Sequence, residues 1–96
     1  MLFPFDKNKL VEICRKNDIA MIGVFGSFAR GEANEQSDID LLVDFSERKS
    51  LLTLVRIERE LSKLLERKVQ LLTEAAISPY LRERIKHDLK VIYEAR

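Results

Sequence analysis

Gly26-Ser27-Phe28-Ala29-Arg30-Gly31-Glu32-Ala33 and Ser37-Asp38-Ile39-Asp40-Leu41-Leu42-Val43 are the stretches whose reading decides the fold. Each sits at a strand boundary. Ile19 to Phe25, just before the first, is almost continuously apolar; it is too short for an ordinary helix and reads as a buried strand. Asp38 to Phe45 reads as a second strand, with Ile39, Leu41 and Val43 on one face and Asp38, Asp40 and Leu42 on the other. Gly23, Gly26 and Gly31 are the only glycines and fall within nine residues. That clustering marks unusual backbone geometry or the close approach of a ligand.

Outward from this centre the pattern alternates. Upstream, Asp6 can cap a first helix with Leu10, Ile13 and Cys14 on one face, and Asn17 can stop it. Downstream, Ser50 can cap a long helix through about Arg67, with Leu54, Ile57, Leu61 and Leu64 as its apolar stripe. Arg67 and Lys68 suit the dipole at its C-terminal end. Val69 to Leu72 reads as a third strand. Ser78-Pro79 is a cap followed by proline at the first helical position, opening a short helix over Tyr80 to Asp88. Val91 to Tyr93 is a short last strand. The order is α-β-turn-β-α-β-α-β, with a short link between the first two strands and a helical crossover from the second to the third. This is an α+β pattern: a small mixed sheet flanked by helices.

Two side-chain groups carry chemistry. Asp38 and Asp40 share a strand face, their Cα atoms about 6.5–7 Å apart. Carboxylates so placed repel each other unless a positive charge lies between them. Mg²⁺ suits that place, because it takes oxygen ligands and commonly combines one or two carboxylates with substrate phosphates. Gly26-Ser27 follows a strand end and can open a helical turn at Phe28-Ala29-Arg30. Free backbone N–H groups there favour phosphate, Gly26 removes the side chain that would block its approach, and Ser27 adds a hydroxyl donor. Taken singly, Asp-x-Asp more often marks a solvated strand end and Gly-Ser a generic turn. Together, ten residues apart and on neighbouring strands, they could hold a triphosphate and its metals. The stretch has neither G-x-x-x-x-G-K-[ST] nor G-x-G-x-x-G spacing.

This pair of stretches resembles the signature of the minimal nucleotidyltransferases of the DNA polymerase β superfamily. The resemblance continues through Lys68-Val69-Gln70-Leu71-Leu72-Thr73, Leu81-Arg82-Glu83-Arg84-Ile85 and Val91-Ile92-Tyr93-Glu94, and so covers nearly the whole chain. It implies the nucleotidyltransferase fold, two Mg²⁺ ions and transfer of a nucleoside monophosphate, AMP from ATP, to a hydroxyl. By position, Gly26 and Ser27 would hold the β- and γ-phosphates and Asp38 and Asp40 would bridge the metals. Arg30 would either help bind phosphate or make a structural ion pair. The resemblance also implies an antitoxin role beside a helical HEPN-type toxin, whose tyrosine would be the acceptor. One position departs from the family. Gln70 stands where a third carboxylate is the rule, offering a weaker ligand for the metal that activates the attacking hydroxyl, and no useful base. Asp44 and Glu74 are poor substitutes, each four residues along a strand, roughly 13 Å if extended.

The rest of the chain narrows the alternatives. Its 96 residues fit one domain spanning 1–96. With 17 basic and 16 acidic residues there is no excess of positive charge for a large nucleic-acid footprint. No apolar run is long enough for a membrane span and Met1 to Lys9 lacks a signal-peptide pattern, so the chain reads as cytoplasmic. Cys14, the lone cysteine, reads as a small buried hydrophobe. His87 reads as solvated or capping, and Tyr80 and Tyr93 as packing residues with wet hydroxyls. Three functions follow: an AMP-transferring enzyme acting on a partner protein, a nucleotide- or toxin-binding module weakened by Gln70, and transfer to RNA or a small molecule.

Overall fold

The structure, a computed structural model, describes residues 6–95. Helix α1 (Lys7–Lys16) begins where the Asp6 carboxylate accepts from the N–H groups of Asn8 and Lys9, and ends at Asn17. Strand β1 (Ile19–Phe25) leads into a single-turn helix, α2 (Ser27–Arg30), and then β2 (Ile39–Phe45). Helix α3 (Leu51–Leu65), capped by the Ser50 hydroxyl, crosses to β3 (Val69–Thr73). A 3₁₀ turn (Glu74–Ala76) precedes α4 (Pro79–Asp88), with Ser78 as cap and proline at its start, and β4 (Lys90–Glu94) closes the chain.

The sheet order is β3-β2-β1-β4. The short β1–β2 link makes those strands antiparallel, the α3 crossover makes β2 and β3 parallel, and β4 adds antiparallel to β1. The mixed α+β sheet is as the sequence pattern implies.

The sheet is buried on both faces, which is why β1 is apolar nearly throughout. On one face Ile22, Val24, Ile39, Leu41 and Val43 pack against Leu10 and Cys14 of α1 and Ile57, Leu61 and Leu65 of α3. On the other, Leu42, Met21, Phe25 and Leu72 meet Ile85 of α4 together with Ile77 and Leu89. A bulge between Ile19 and Met21 shifts the alternation, so Ile19 joins the first face with Ile22. Gly23 lets Leu89 lie against the strand, since a Cβ there would collide with the Leu89 side chain.

Two sequence expectations need correction. Helix α3 does not reach Arg67. It stops at Leu65 because Glu66 takes a left-handed conformation, φ 54° and ψ 38°, and the turn swings the chain toward β3. Leu65 is accordingly buried and Leu64 only partly so. Tyr80 is not a packing residue: it stands 94% exposed in the first turn of α4. Ile85 is the buried residue of that helix, and Tyr80 lies on another side of it. Tyr93, by contrast, packs on the main core as expected.

Helix α3 also sets β3. Val69 N–H donates to the Ser62 hydroxyl at 3.0 Å, and Leu71 N–H to a Glu58 carboxylate oxygen at 2.9 Å. Side chains of the crossover helix thus satisfy an edge that would otherwise present bare donors. Gln70, between these two anchors, is held with its side chain exposed beside the first residues of β2.

Candidate active site

The end of β1 and the starts of β2 and β3 converge on one corner of the sheet. Asp40 lies opposite Phe25 on one side and Gln70 on the other. The Gln70 amide donates to Asp38 Oδ2 at 3.0 Å. The third strand therefore has the register expected from sequence, with Gln70 on the aspartate side and not in the core. Asp44 lies at the far end of β2, and Glu74 faces Lys86 at 3.6 Å, so neither reaches this corner.

Gly26 lies directly beneath the Asp40 carboxylate. Its backbone has φ 74° and ψ −150°, and a Cβ at this position would stand 2.5 Å from Asp40 Oδ2. Glycine is thus required twice, by the dihedral and by the carboxylate. Ser27 opens the α2 turn immediately after.

The electrostatics favour a cation. Burial first, and then the charge of Asp38, hold the Asp40 carboxyl above its ordinary range, with Arg30 opposing them. Among the described residues the only side-chain donor to either carboxylate is the neutral Gln70 amide on Asp38. Two neighbouring carboxylates whose repulsion Arg30 only partly offsets suit a hard divalent ion. Among the described residues no third histidine, cysteine, aspartate or glutamate joins them to complete an acidic cage.

Beside Asp40 opens a cleft of about 450 Å³, between α4 and the sheet face bearing Phe25 and Leu72. Gly26, Asp40 and Gln70 lie on its sheet side, and Leu81 and Arg84 on its α4 side. A larger hollow of about 920 Å³ lies between α1 and α3, lined by both acids and bases such as Lys9, Glu12, Lys63 and Glu66. None of the motif residues reaches it, whereas Gly26, Arg30, Asp40 and Gln70 line the smaller cleft and Ser27 and Asp38 lie outside its lining.

Arg30 lines the cleft as a structural ion pair. Its Nε donates to Glu32 at 3.0 Å and its Nη1 to Asp88 at 2.9 Å, joining the α2 turn to the end of α4. Hydrogen bonding to Glu32 and then Asp88 raises the guanidinium pKa further, and the bond from Arg30 lowers that of Asp88. His87 is exposed, with Nδ1 3.4 Å from Asp88 Oδ1.

Sequence reasoning missed Arg67. Read as a helix-dipole cation, it donates instead through Nη1 to the carbonyls of Asn34 at 2.8 Å and Ser37 at 3.0 Å. Its guanidinium also sits 5.0 Å from the centre of the Phe28 ring. One side chain thereby ties the α2 turn to the loop that delivers Asp38. Within that loop Asn34 Oδ1 accepts from Gln36 N–H and the Ser37 hydroxyl from Asn34 N–H. Nothing in the spacing of Arg67 announced its partners, 30 and 33 residues away.

Comparison with known proteins accords with this geometry. The sequence profile of the nucleotidyltransferase domain matches residues 7–92. A Methanocaldococcus jannaschii protein, MJ0435, provisionally named a protein adenylyltransferase, is 47% identical over 79 residues, covering 82% of this chain and 85% of that protein. A solved structure described as a minimal nucleotidyltransferase superposes with a TM-score of 0.76 at 37% identity, covering 88% of this chain and 86% of the other. A chain from a toxin–antitoxin crystal structure with AMP-PNP superposes at 0.78 over 95% of this chain and 75% of its own; at 22% identity that likeness concerns the fold.

Proposed function

The chain belongs to the nucleotidyltransferase domain family, and on that premise we propose that it transfers AMP from ATP to a hydroxyl of a partner protein. The observation that carries this reading is the corner where Asp40 overlies Gly26 and Asp38 stands beside Gln70. Asp38 and Asp40 would hold Mg²⁺, which when bound supplies Lewis-acid stabilisation of charge on the phosphates. Gly26 leaves room for phosphate against the backbone, and the Ser27 hydroxyl is its side-chain donor. In the transfer the acceptor oxygen bonds to the α-phosphorus, the bond from that phosphorus to the β-phosphate oxygen breaks, pyrophosphate leaves, and the hydroxyl proton passes to a base.

The partner in this reading is a small helical HEPN-type protein whose tyrosine is the acceptor, with this chain as the antitoxin. Supporting it are the adenylyltransferase name of the relative and the fold shared with a chain of a toxin–antitoxin complex. The cleft is small and open, so acceptor contacts are left to the partner.

A second reading is favoured by one contact. Gln70 donates its amide to Asp38, where a family carboxylate would add charge and a base. In this reading the chain binds Mg²⁺–ATP and transfers it slowly or not at all. One experiment separates the two. With radiolabelled ATP, Mg²⁺ and the candidate partner, Gln70→Asp transfers about 10²–10⁴ times faster than wild type if the third carboxylate limits the reaction. Equal turnover by both proteins assigns the base elsewhere. Mg²⁺–ATP at about 100 times its dissociation constant stabilises the fold by roughly 2.7 kcal/mol. An unmoved melting temperature refutes the nucleotide site itself.

A further inference from the structure

The two cations lining the cleft are not equivalent. Arg30 is engaged by Glu32 and Asp88, at 3.0 and 2.9 Å. Arg84 is exposed and pairs with no carboxylate among the described residues. Its position is nonetheless well defined. Leu81, Arg84, Ile85 and Asp88 recur at i, i+3, i+4 and i+7, so they form one stripe of α4, and all four line the cleft. Ile85 roots this stripe in the core beneath Leu42, and Asp88 ties its far end to the α2 turn through Arg30. Arg84 is therefore a free guanidinium on a helix anchored at two points, across the cleft from Gly26 and Asp40.

The charge balance of the site asks for such a group. Asp38 and Asp40 are both acidic, and Arg30 with its two carboxylates contributes a further net negative charge. A triphosphate adds more, and carboxylate-bound divalent ions do not cancel all of it. Guanidinium N–H groups match phosphate oxygens in geometry as well as charge.

Resting on the nucleotide reading above, we propose that Arg84 holds the triphosphate tail of the donor, and that Arg30 is a positioning residue that fixes α4 against the Gly26-Ser27 turn. Arg84 thereby makes the site prefer triphosphate over monophosphate, independently of the base.

Titration calorimetry with Mg²⁺ and ATP, and separately AMP, tests this on the full chain. Loss of a charged hydrogen-bond donor is worth about 10–100-fold in affinity. Arg84→Ala weakens ATP by that factor and leaves AMP within about twofold, so discrimination collapses. Arg84→Lys recovers part of it. Arg30→Ala lowers the melting temperature and weakens the preference for ATP only in part, by less than Arg84→Ala does. Arg84→Ala with wild-type ATP affinity overturns the proposal, including the case in which only transfer to the partner slows, because the side chain then serves the acceptor. Equal loss of ATP preference in Arg30→Ala and Arg84→Ala overturns the division of labour. Wild-type protein that binds no ATP overturns the nucleotide reading, and this assignment with it.

Discussion

Gly26 and Gly31 flank the same helical turn with the same φ of 74°, yet alanine at the two positions has different consequences. Gly31 has ψ 21°, the left-handed helical region, and a Cβ there meets nothing within 4 Å. Alanine adopts that conformation at a cost of about 1–2 kcal/mol. The stiffer unfolded chain offsets about 0.4–1 kcal/mol of this. Gly31→Ala therefore loses about 1 kcal/mol, or roughly 4–8 °C of melting temperature in a domain of this size. Gly26 has ψ −150°, in a region essentially confined to glycine, which costs alanine about 1–3 kcal/mol. In addition, its Cβ at 2.5 Å from Asp40 Oδ2 drives the carboxylate off its rotamer, adding about 0.5–1.5 kcal/mol. After the same offset Gly26→Ala loses about 2–3 kcal/mol, and its melting temperature falls by roughly 10–20 °C. Circular dichroism melts with and without Mg²⁺–ATP read both quantities. Gly31→Ala keeps the stabilisation by nucleotide, and Gly26→Ala loses it because the displaced carboxylate is one of the two proposed to hold the metal. A Gly26→Ala protein that melts with Gly31→Ala and keeps the full nucleotide shift refutes the reasoning.

Arg67→Ala removes both bonds to the Asn34 and Ser37 carbonyls and the contact with the Phe28 ring. Because water can replace part of these, the loss is about 1–2 kcal/mol. Hydrogen exchange should quicken through residues 31–38, and unchanged protection there removes Arg67 from the positioning of Asp38. Asp40→Asn should raise the stability of the nucleotide-free protein near neutral pH by a few degrees while abolishing metal-dependent ATP binding. Its carboxyl pKa is raised on folding, by burial first and then by Asp38, so stability falls as pH rises from the unfolded pKa through the folded one. Urea titrations across that window show the decline in wild type and a flatter profile in Asp40→Asn; parallel profiles contradict the assignment. Burial pushes the Cys14 thiol up to about 12, so native protein at about pH 8 should resist thiol reagents and react only at the rate of unfolding. Rapid labelling of folded protein contradicts the packing of α1.

Local chemistry was legible in the sequence because its causes lie within a few residues. Asp6, Ser50 and Ser78 accept N–H groups two or three positions on, so the caps of α1, α3 and α4 follow from residue type alone. The alternation of Ile39, Leu41 and Val43 with Asp38, Asp40 and Leu42 decides which face of β2 carries the acids, since the period of a strand is two. Gly26-Ser27 and Asp38-Ile39-Asp40 marked the corner for the same reason. What the sequence could not decide depends on separations that only the tertiary structure closes. Arg30 meets Asp88 across 58 residues, so its ion pair with α4 could not be read before that helix was placed on the sheet. Arg67 looked like a dipole cation because periodicity carried α3 past Leu65; the left-handed Glu66, a backbone state that no side-chain pattern announces, turned it toward the Asp38 loop. Tyr80 is apolar enough to suggest packing, but it stands five residues before Ile85, about 140° around α4 from that buried position, and that side of the helix faces solvent. Arg84 stood out in the sequence only as part of the Leu81-Arg82-Glu83-Arg84-Ile85 stretch. Only the packing of Ile85 beneath it turns that charge into the cleft beside Asp40.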